Sequence, residues 1–539
     1  MASFGEQNQA IAVLVAVGLP ILALMWYLQR TQRRDRPDVP RHKYARQFAL
    51  ILIAGAALRL WLAYSLPGHT GDIDYFREWA LEAYGRSFDH FYDGDFYCDY
   101  PPMYIYVLYI LGFIRSLLGL DYWGTDYAVL LRLPSILAEL LIACFFFQAA
   151  YKRLGGRSAL MLCMLIVFNP AVLLNAAVWG QIDSLLALLL LGVFWLLYKK
   201  QYIWSAVLFT VGFLMKPQVL FAGPVMLYAF IGHIVLSPDR RKAWLDLIVS
   251  IAAVVLLFFL IPLPFTIGRG PLWLIELYRG TISTYPFATM NAFNLYGVAG
   301  LNLVDATEAS FGGITAQHWG ILAAIAICIY GGWLYWKNHR GAYLFVLNGF
   351  IWTAVFMLVH SMHERYLYAA PFFFLAGYVL MRDPRLLDSS VLLFALVLVD
   401  QGVTLAAYGA LVDLPAALVE WMSLAGLLCF AYVAWTSTSI AFEGPCTQIP
   451  SPAEGPRRRL FRRLSGSRPE SLRPADAGPA EAPASPVPVQ LSFFDEAAPA
   501  DVRSALGAAA QPALEEAVPL LPRQIAAPDE STDPDGDIG

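Results

Sequence analysis

The sequence predicts an all-α polytopic membrane protein of about 13 transmembrane helices, and three observations lead there. Hydrophobic residues make up 58% of the 539 and charged residues only 14%, too few to cover a soluble surface of this size. The apolar residues gather into runs that approach the length needed to cross a bilayer core, about 20 residues. Lys and Arg are segregated between loops in the way that sets orientation in a membrane.

The first run, Ala10 to Leu28, has no Lys or Arg before it, whereas Arg30, Arg33, Arg34 and Arg36 follow it. A secretory signal has the opposite charge order, so this run reads as an uncleaved anchor with its N-terminus outside. Further spans are predicted at 46–65, 129–150, 158–178, 183–198, 202–215, 218–236, 244–263, 319–336, 341–359, 366–381, 388–408 and 416–436.

The segment 103–119 is also apolar, and its placement fixes the side of every later loop. If it lies in the outer interface or re-enters, the later inside loops hold 17 Lys and Arg, and the outside loops hold 4: Lys216, Arg269, Arg279 and Arg365. If it crossed, those totals would change sides. The positive-inside asymmetry therefore predicts a C-terminus in the cytoplasm and a large first extracytoplasmic loop carrying interfacial helices. The expected location is the plasma membrane.

Three regions follow. Residues 1–45 form an anchor helix and a basic cytoplasmic loop, and 46–440 form the transmembrane domain. Residues 441–539 are rich in Pro, Ala and acidic residues and read as a disordered cytoplasmic tail. The basic start of that tail, RRRLFRR, suits anionic headgroups. The six cysteines do not suggest a disulfide framework.

The loop parity brings five polar segments to the outside: GDIDYFREWA, CDYPP, WGQID, NAFN and HERY. Asp72 and Asp74 open the first loop. Carboxylates at i and i+2 do not share a helix face, so one can act as a general base while the other holds a cation or Arg77. An acidic helix N-terminus explains the same pair without chemistry. Asp99 precedes two prolines and is either a second carboxylate at the surface or the N-cap of 103–119.

Gln181 and Asp183 mark the outer turn after span 158–178 and are candidates for binding substrate or cation. Lys216 interrupts an apolar run, which is costly unless it lines a polar cavity, pairs or snorkels. It is a candidate phosphate ligand. Arg365 can hold a diester or pyrophosphate bidentately, with Glu364 orienting it and His363 beside it. An interfacial anchor of Arg and Tyr is the plainer reading of that motif. Asn291 and Asn294 can bond sugar hydroxyls, or simply make turns. Arg59, Arg132 and Glu139 also lie within or near spans, and Arg132 and Glu139, seven apart on one helix face, are expected to pair structurally.

No metal-ligand spacing of His and Cys is present, and no P-loop, dinucleotide fingerprint or nucleophile elbow. A nucleotide-sugar donor would call for a soluble cytoplasmic domain, and no segment is long enough. A donor reachable from the outer leaflet is expected instead.

These motifs resemble those of the GT-C glycosyltransferases, multi-spanning enzymes that use polyprenyl-phosphate sugars. GDIDYFREWA followed by DYPP resembles the first outer loop of the dolichol-linked glucosyltransferases. The DIDY core looks like the first mannosyltransferase of GPI-anchor assembly. WGQID, KPQ and HERY resemble bacterial members described as mannosyltransferase-like. The resemblance covers about residues 46–410. It implies that Asp72 is the general base, with Asp99, His363 and Glu364 near the donor head group. Where the glucosyltransferases carry an HEK-like element this chain has His363-Glu364-Arg365, an Arg of different geometry in the same role.

The function implied is transfer of a sugar, mannose first with glucose and arabinose behind it, from a polyprenyl phosphate to an acceptor hydroxyl. The displacement would be in-line and inverting, with Lys216 and Arg365 stabilising the departing phosphate. No cofactor is required by this scheme, although Mg or Mn at Asp72 and Asp74 is compatible with it. The acceptor is a lipid, a polysaccharide or a protein. The competing readings are a glycolipid flippase, with charged residues along a midplane path, and a non-catalytic envelope-glycan assembly protein.

Overall fold

The computed structural model of the chain describes residues 3–32, 42–93, 96–270 and 272–446. The described residues all lie in one compact unit. The tail expected to be disordered falls, from residue 447, outside the described residues.

The described residues are mainly α-helical, with four two-residue strands among them. Helices α1 (Phe4–Thr31) and α2 (His42–Ser65) precede a long connection that folds into α3 (Thr70–Gly85) and α4 (Pro102–Leu118). Next come α5 (Thr125–Leu154), α6 (Gly156–Val167), the short α7 (Pro170–Leu173), α8 (Asp183–Tyr198), α9 (Tyr202–Phe213), α10 (Gly223–Leu236) and α11 (Arg240–Leu260). A second loop region holds α12 (Trp273–Ser283), β1 (Thr289–Met290), α13 (Leu295–Val298), β2 (Ser310–Phe311) and β3 (Ile314–Thr315). The chain then continues as α14 (Ala316–Lys337), α15 (Tyr343–Leu358), β4 (Met362–His363), α16 (Ala370–Met381), α17 (Pro384–Ala410) and α18 (Ala416–Glu443).

The 13 predicted spans all fall on helical segments, but 158–178 is broken at Asn169 and Pro170 into α6, α7 and a π-helical turn, and 218–236 begins in a 3-10 turn before α10. Among the described residues, nine helical stretches are long and apolar enough to cross a membrane. The α6-to-Trp179 stretch is 83% buried and the α11 stretch 11%, so the first is central and the second faces outward with its apolar side chains. The segment read as interfacial is α4, 17 residues long. Pro101 and Pro102 start it, as Pro suits a first turn that lacks acceptors, and Gly119 stops it in the left-handed conformation. Its N-cap is Pro101, with no side-chain cap, so Asp99 does not cap it.

Four of the spans are short: α8, α9, α15 and α16 have 16, 12, 16 and 12 residues. Twelve residues rise only about 18 Å, against a hydrocarbon core of about 30 Å. All four break off next to polar motifs: α8 starts at Asp183, α9 ends just before Lys216, and α15 and α16 flank His363-Glu364-Arg365. Irregular backbone at such depth is tolerated only where protein or a polar cavity surrounds it.

The charged residues within the spans pair differently from expectation. Glu139 bonds Arg59 at 2.6 Å, with both side chains fully buried, and also accepts from Ser184 at 3.0 Å and Tyr368 at 3.3 Å. Arg132 does not pair with Glu139. It caps the end of α2 by donating to the carbonyls of Ala63, Leu66 and Pro67. A helix end leaves its last carbonyls unsatisfied, and a guanidinium with five donors can serve several at once. The relation of seven residues put both groups on one face of α5 but could not show which neighbour each would meet.

Helix α1 runs antiparallel to α17: Gln7 reaches Gly68 at one end, and Arg30 bonds Asp388 at 2.6 Å at the other. Tyr408, at the far end of α17 from Asp388, bonds Thr70. The start of α1 therefore shares an end of the bundle with the loop leading into α3, the two segments that the charge asymmetry puts on one side.

Candidate active site

Asp72 lies in the first turn of α3, where a carboxylate is favoured by the helix N-terminus. Its Oδ2 accepts hydrogen bonds from Trp179 Nε1 at 2.8 Å and from Gln181 Nε2 at 2.5 Å. Both bonds fall on one oxygen, and Oδ1 takes part in neither. His69 caps α3: its Nδ1 accepts the backbone N–H of Asp72 at 3.1 Å. An Nδ1 that accepts carries no proton, so the imidazole is neutral with its proton on Nε2. The ring lies between Trp179, 5.2 Å away and nearly parallel, and Tyr408, at 3.8 Å.

The donors to Asp72 come from an irregular stretch that the sequence builds in three steps. Asn169 and Pro170 interrupt the helix, with Asn169 capping the new start at Ala171 N. A π-helical turn, Leu174–Trp179, follows, and such turns recur at functional sites. The carbonyl of Asn175 then accepts from the N–H groups of both Gly180 and Gln181. Gly180 sits at φ 98°, which side chains other than glycine resist, and the reversal aims Trp179 and Gln181 at Asp72.

Burial of the Asp72 carboxyl raises its pKa, but Arg365 and the bonds from Trp179 and Gln181 outweigh that and hold it below its ordinary value. Asp72 is therefore ionised at neutral pH. Asp99 goes the other way: burial raises it, only partly offset by Tyr97 and the more distant Arg365 and Lys216.

Arg365 donates to Glu364 at 2.8 Å and stands over the Trp179 ring at 6.0 Å. Burial would lower its pKa, but Glu364 and Asp72 raise it well above the usual value, so it is a fixed cation. Burial raises Glu364, with Arg365 opposing. His363 is pushed well down by burial and then by Arg365, which leaves it neutral. The segment is held by β4, which pairs parallel with β1, and by the ring of Tyr285 against His363 at 4.8 Å. His363 Nε2, Arg365 Nε and Gln181 Oε1 are buried with no hydrogen-bond partner among the described residues. Buried polar atoms are normally satisfied, so a bound polar ligand is the natural complement of the three.

The other candidates divide into two groups. Lys216 and Asp183 are both buried and bond each other at 2.5 Å, with Asn175 also donating to Asp183 at 3.2 Å. Lys216 therefore neither snorkels nor stands as a free charge. Asp74 is 42% exposed and bonds Arg77 at 2.6 Å, facing away from Asp72 as the i, i+2 spacing requires. Asn294 caps α13 through Oδ1 and donates to the Phe356 carbonyl. Asn291, at φ 56°, exchanges bonds with Asn302. The turn reading accounts for both asparagines.

Among the described residues, no group of three or more His, Cys, Asp or Glu is placed to hold a metal ion. Asp72 bonds Trp179 and Gln181 while Asp74 bonds Arg77, so the two aspartates do not form a ligand pair. Sequence reasoning quoted Trp179 without giving it a role and passed over His69, Asn175 and Tyr408. The position of His69, three before Asp72, is a legible capping signal. The approach of Tyr408 from 338 residues away is not.

The profile of the ALG6, ALG8 glycosyltransferase family matches residues 55–277. No curated protein matches the chain. The matched stretch contains Asp72, Asp99, Gln181, Asp183 and Lys216, and leaves out α1 and the segment bearing His363, Glu364 and Arg365. The family supports a membrane glycosyltransferase and implies a lipid-linked sugar donor.

Proposed function

On the premise of a membrane glycosyltransferase, we propose that the chain transfers a sugar from a polyprenyl-phosphate donor to an acceptor hydroxyl, with inversion and with Asp72 as general base. The observation that carries this reading is the Asp72 carboxylate. It is held ionised and oriented through Oδ2 by Trp179 and Gln181, close enough to Arg365 for that cation to lower its pKa.

In the proposed step, Asp72 Oδ1 accepts the proton of the acceptor hydroxyl as that oxygen bonds the anomeric carbon. The bond from that carbon to the phosphate oxygen breaks on the opposite face, and its electron pair leaves with the phosphate. Negative charge develops on the phosphate, where Arg365 stabilises it without the cost of reorganising water. Arg365 Nε and His363 Nε2 supply unused bonding capacity there. A phosphate leaving group needs no strong acid, so one carboxylate suffices, unlike the paired acids of glycoside hydrolysis. A low-pKa carboxylate is adequate as base because the hydroxyl becomes acidic only as it bonds the electron-poor carbon. Lys216 acts through its pair with Asp183, as part of the wall beneath the head group rather than as a lone phosphate ligand.

The donor sugar we favour is mannose, with glucose and arabinose behind it, and the site is assigned to the extracytoplasmic face of the plasma membrane. The loop charges and the convergence of the motifs at one end of the bundle support that placement. No step is routed through a divalent cation. The test is transfer by the purified chain from a panel of labelled polyprenyl-phosphate sugars to a membrane extract. Transfer from one donor fixes the sugar, and transfer from none, with the protein folded, contradicts the reading.

A further inference from the structure

Helix α1 contributes no residue to the reaction drawn above, yet it carries a fully buried glutamine, Gln7, in its second turn. A buried amide in an apolar helix is costly unless bonded. Gln7 bonds both backbone groups of Gly68: Oε1 accepts the Gly68 N–H at 2.6 Å, and Nε2 donates to the Gly68 carbonyl at 3.3 Å. Gly68 has φ 79°, and a Cβ there would strike the Val178 carbonyl and the Arg132 guanidinium, so the chain passes through a slot that only glycine fits.

Asp72 is four residues further on, and the stretch between is fastened by side chains and backbone from distant parts of the chain. Arg132 holds the carbonyls of Leu66 and Pro67, the Trp179 carbonyl accepts from His69 N, and the Tyr408 hydroxyl accepts from Gly71 N at 3.0 Å. Helix α1 also supports that last contact, because Phe4 packs edge-on against the Tyr408 ring.

We propose that α1 is an intramolecular clamp on the loop bearing the base, and that Gln7 is a positioning residue for the transfer reaction, acting on Asp72 through Gly68. The inference rests on Asp72 being the base. A base displaced by about 1 Å costs up to roughly a hundredfold in rate.

The test uses the full chain in detergent, with kcat, donor KM and thermal midpoint measured for Gln7→Leu, Gln7→Glu, Gln29→Leu and Asp72→Asn, and for Gln7→Leu combined with Asp72→Asn. Gln7→Leu is expected to lower kcat roughly ten- to a hundredfold with donor KM unchanged. Gln7→Glu keeps the acceptor for Gly68 N–H and should recover part of the loss. Gln29, buried at the other end of α1, donates to the Tyr378 hydroxyl away from the site, so Gln29→Leu should leave kcat alone. Gln7→Leu added to Asp72→Asn should cause no further loss, because the base it positions is already gone. Unchanged kcat in Gln7→Leu, an equal loss in Gln29→Leu, or losses that multiply in the double variant would each overturn the clamp. If Gln7→Leu does not fold, Phe4→Ala removes the contact of α1 with the Tyr408 ring, and a loss in kcat alone is expected, with no loss overturning the clamp. Transfer surviving in Asp72→Asn would overturn the reading underneath as well, whereas loss confined to Asp72→Asn removes only the clamp.

Discussion

Lys216 Nζ lies 2.5 Å from Asp183 Oδ1, so the lysine that interrupts the apolar run enters the site already neutralised. Removing one member of a buried pair leaves the other charge uncompensated, at a cost of about 3–5 kcal/mol. Lys216→Met and Asp183→Leu should each lower the thermal midpoint in detergent sharply. The double variant should lie closer to wild type than either single one. Additive losses in that cycle would show that the pair is not coupled.

Trp179 and Gln181 each donate to Asp72 Oδ2, and hydrogen bonds to a charged group contribute about 1.5–3 kcal/mol. Trp179→Phe and Gln181→Leu should therefore each lower kcat roughly ten- to a hundredfold. Donor KM should change little in Trp179→Phe, since the Trp179 bond is not to the donor, whereas Gln181→Leu also removes Oε1 and should raise KM as well. A rise in KM with kcat intact would place these residues on the substrate instead.

The pH dependence follows from the opposite shifts of two carboxyl groups. Asp72 is held below its ordinary value of 3.8, so it stays ionised as the pH falls through the usual carboxylate range. Such a depressed group contributes stability above its unfolded-state pKa and loses it only as the pH drops through the lower folded value. Glu364 is raised above 4.5 and protonates first. The acid limb of kcat/KM should thus reflect Glu364, and in Glu364→Gln it should move to lower pH. A limb that does not move in that variant would assign it to another group.

Glu139 and Arg59 form a fully buried pair away from Asp72, tied to Ser184 and Tyr368. Glu139→Leu should destabilise by about 3–5 kcal/mol yet leave kcat per folded molecule near wild type. A folded Glu139→Leu protein that cannot transfer would draw this network into the catalytic step.

Much of this architecture is legible in the sequence because lipid imposes simple rules. Apolar length locates the helical segments, and loop charge places α1's start, Asp72, Gln181, Lys216 and Arg365 at one end. The i, i+2 spacing correctly separated Asp72 from Asp74. Partner choice was not legible. Glu139 meets Arg59 across 80 residues rather than Arg132 on its own helix, because helix rotation decides which neighbour faces which. Lys216 meets Asp183 because α8 and α9 both stop short, and the composition of a run does not say where its helix will break. Tyr408 and Gln7 approach the base loop from helices that looked like plain spans.

The most direct measurement is single-turnover transfer by Asp72→Asn beside wild type, with donor binding followed in the same preparation. Transfer is expected to fall by at least about a hundredfold while donor binding is kept, since loss of a general base costs roughly 10²–10⁴ in rate. Transfer within a few-fold of wild type, by a folded variant that binds donor, would contradict it.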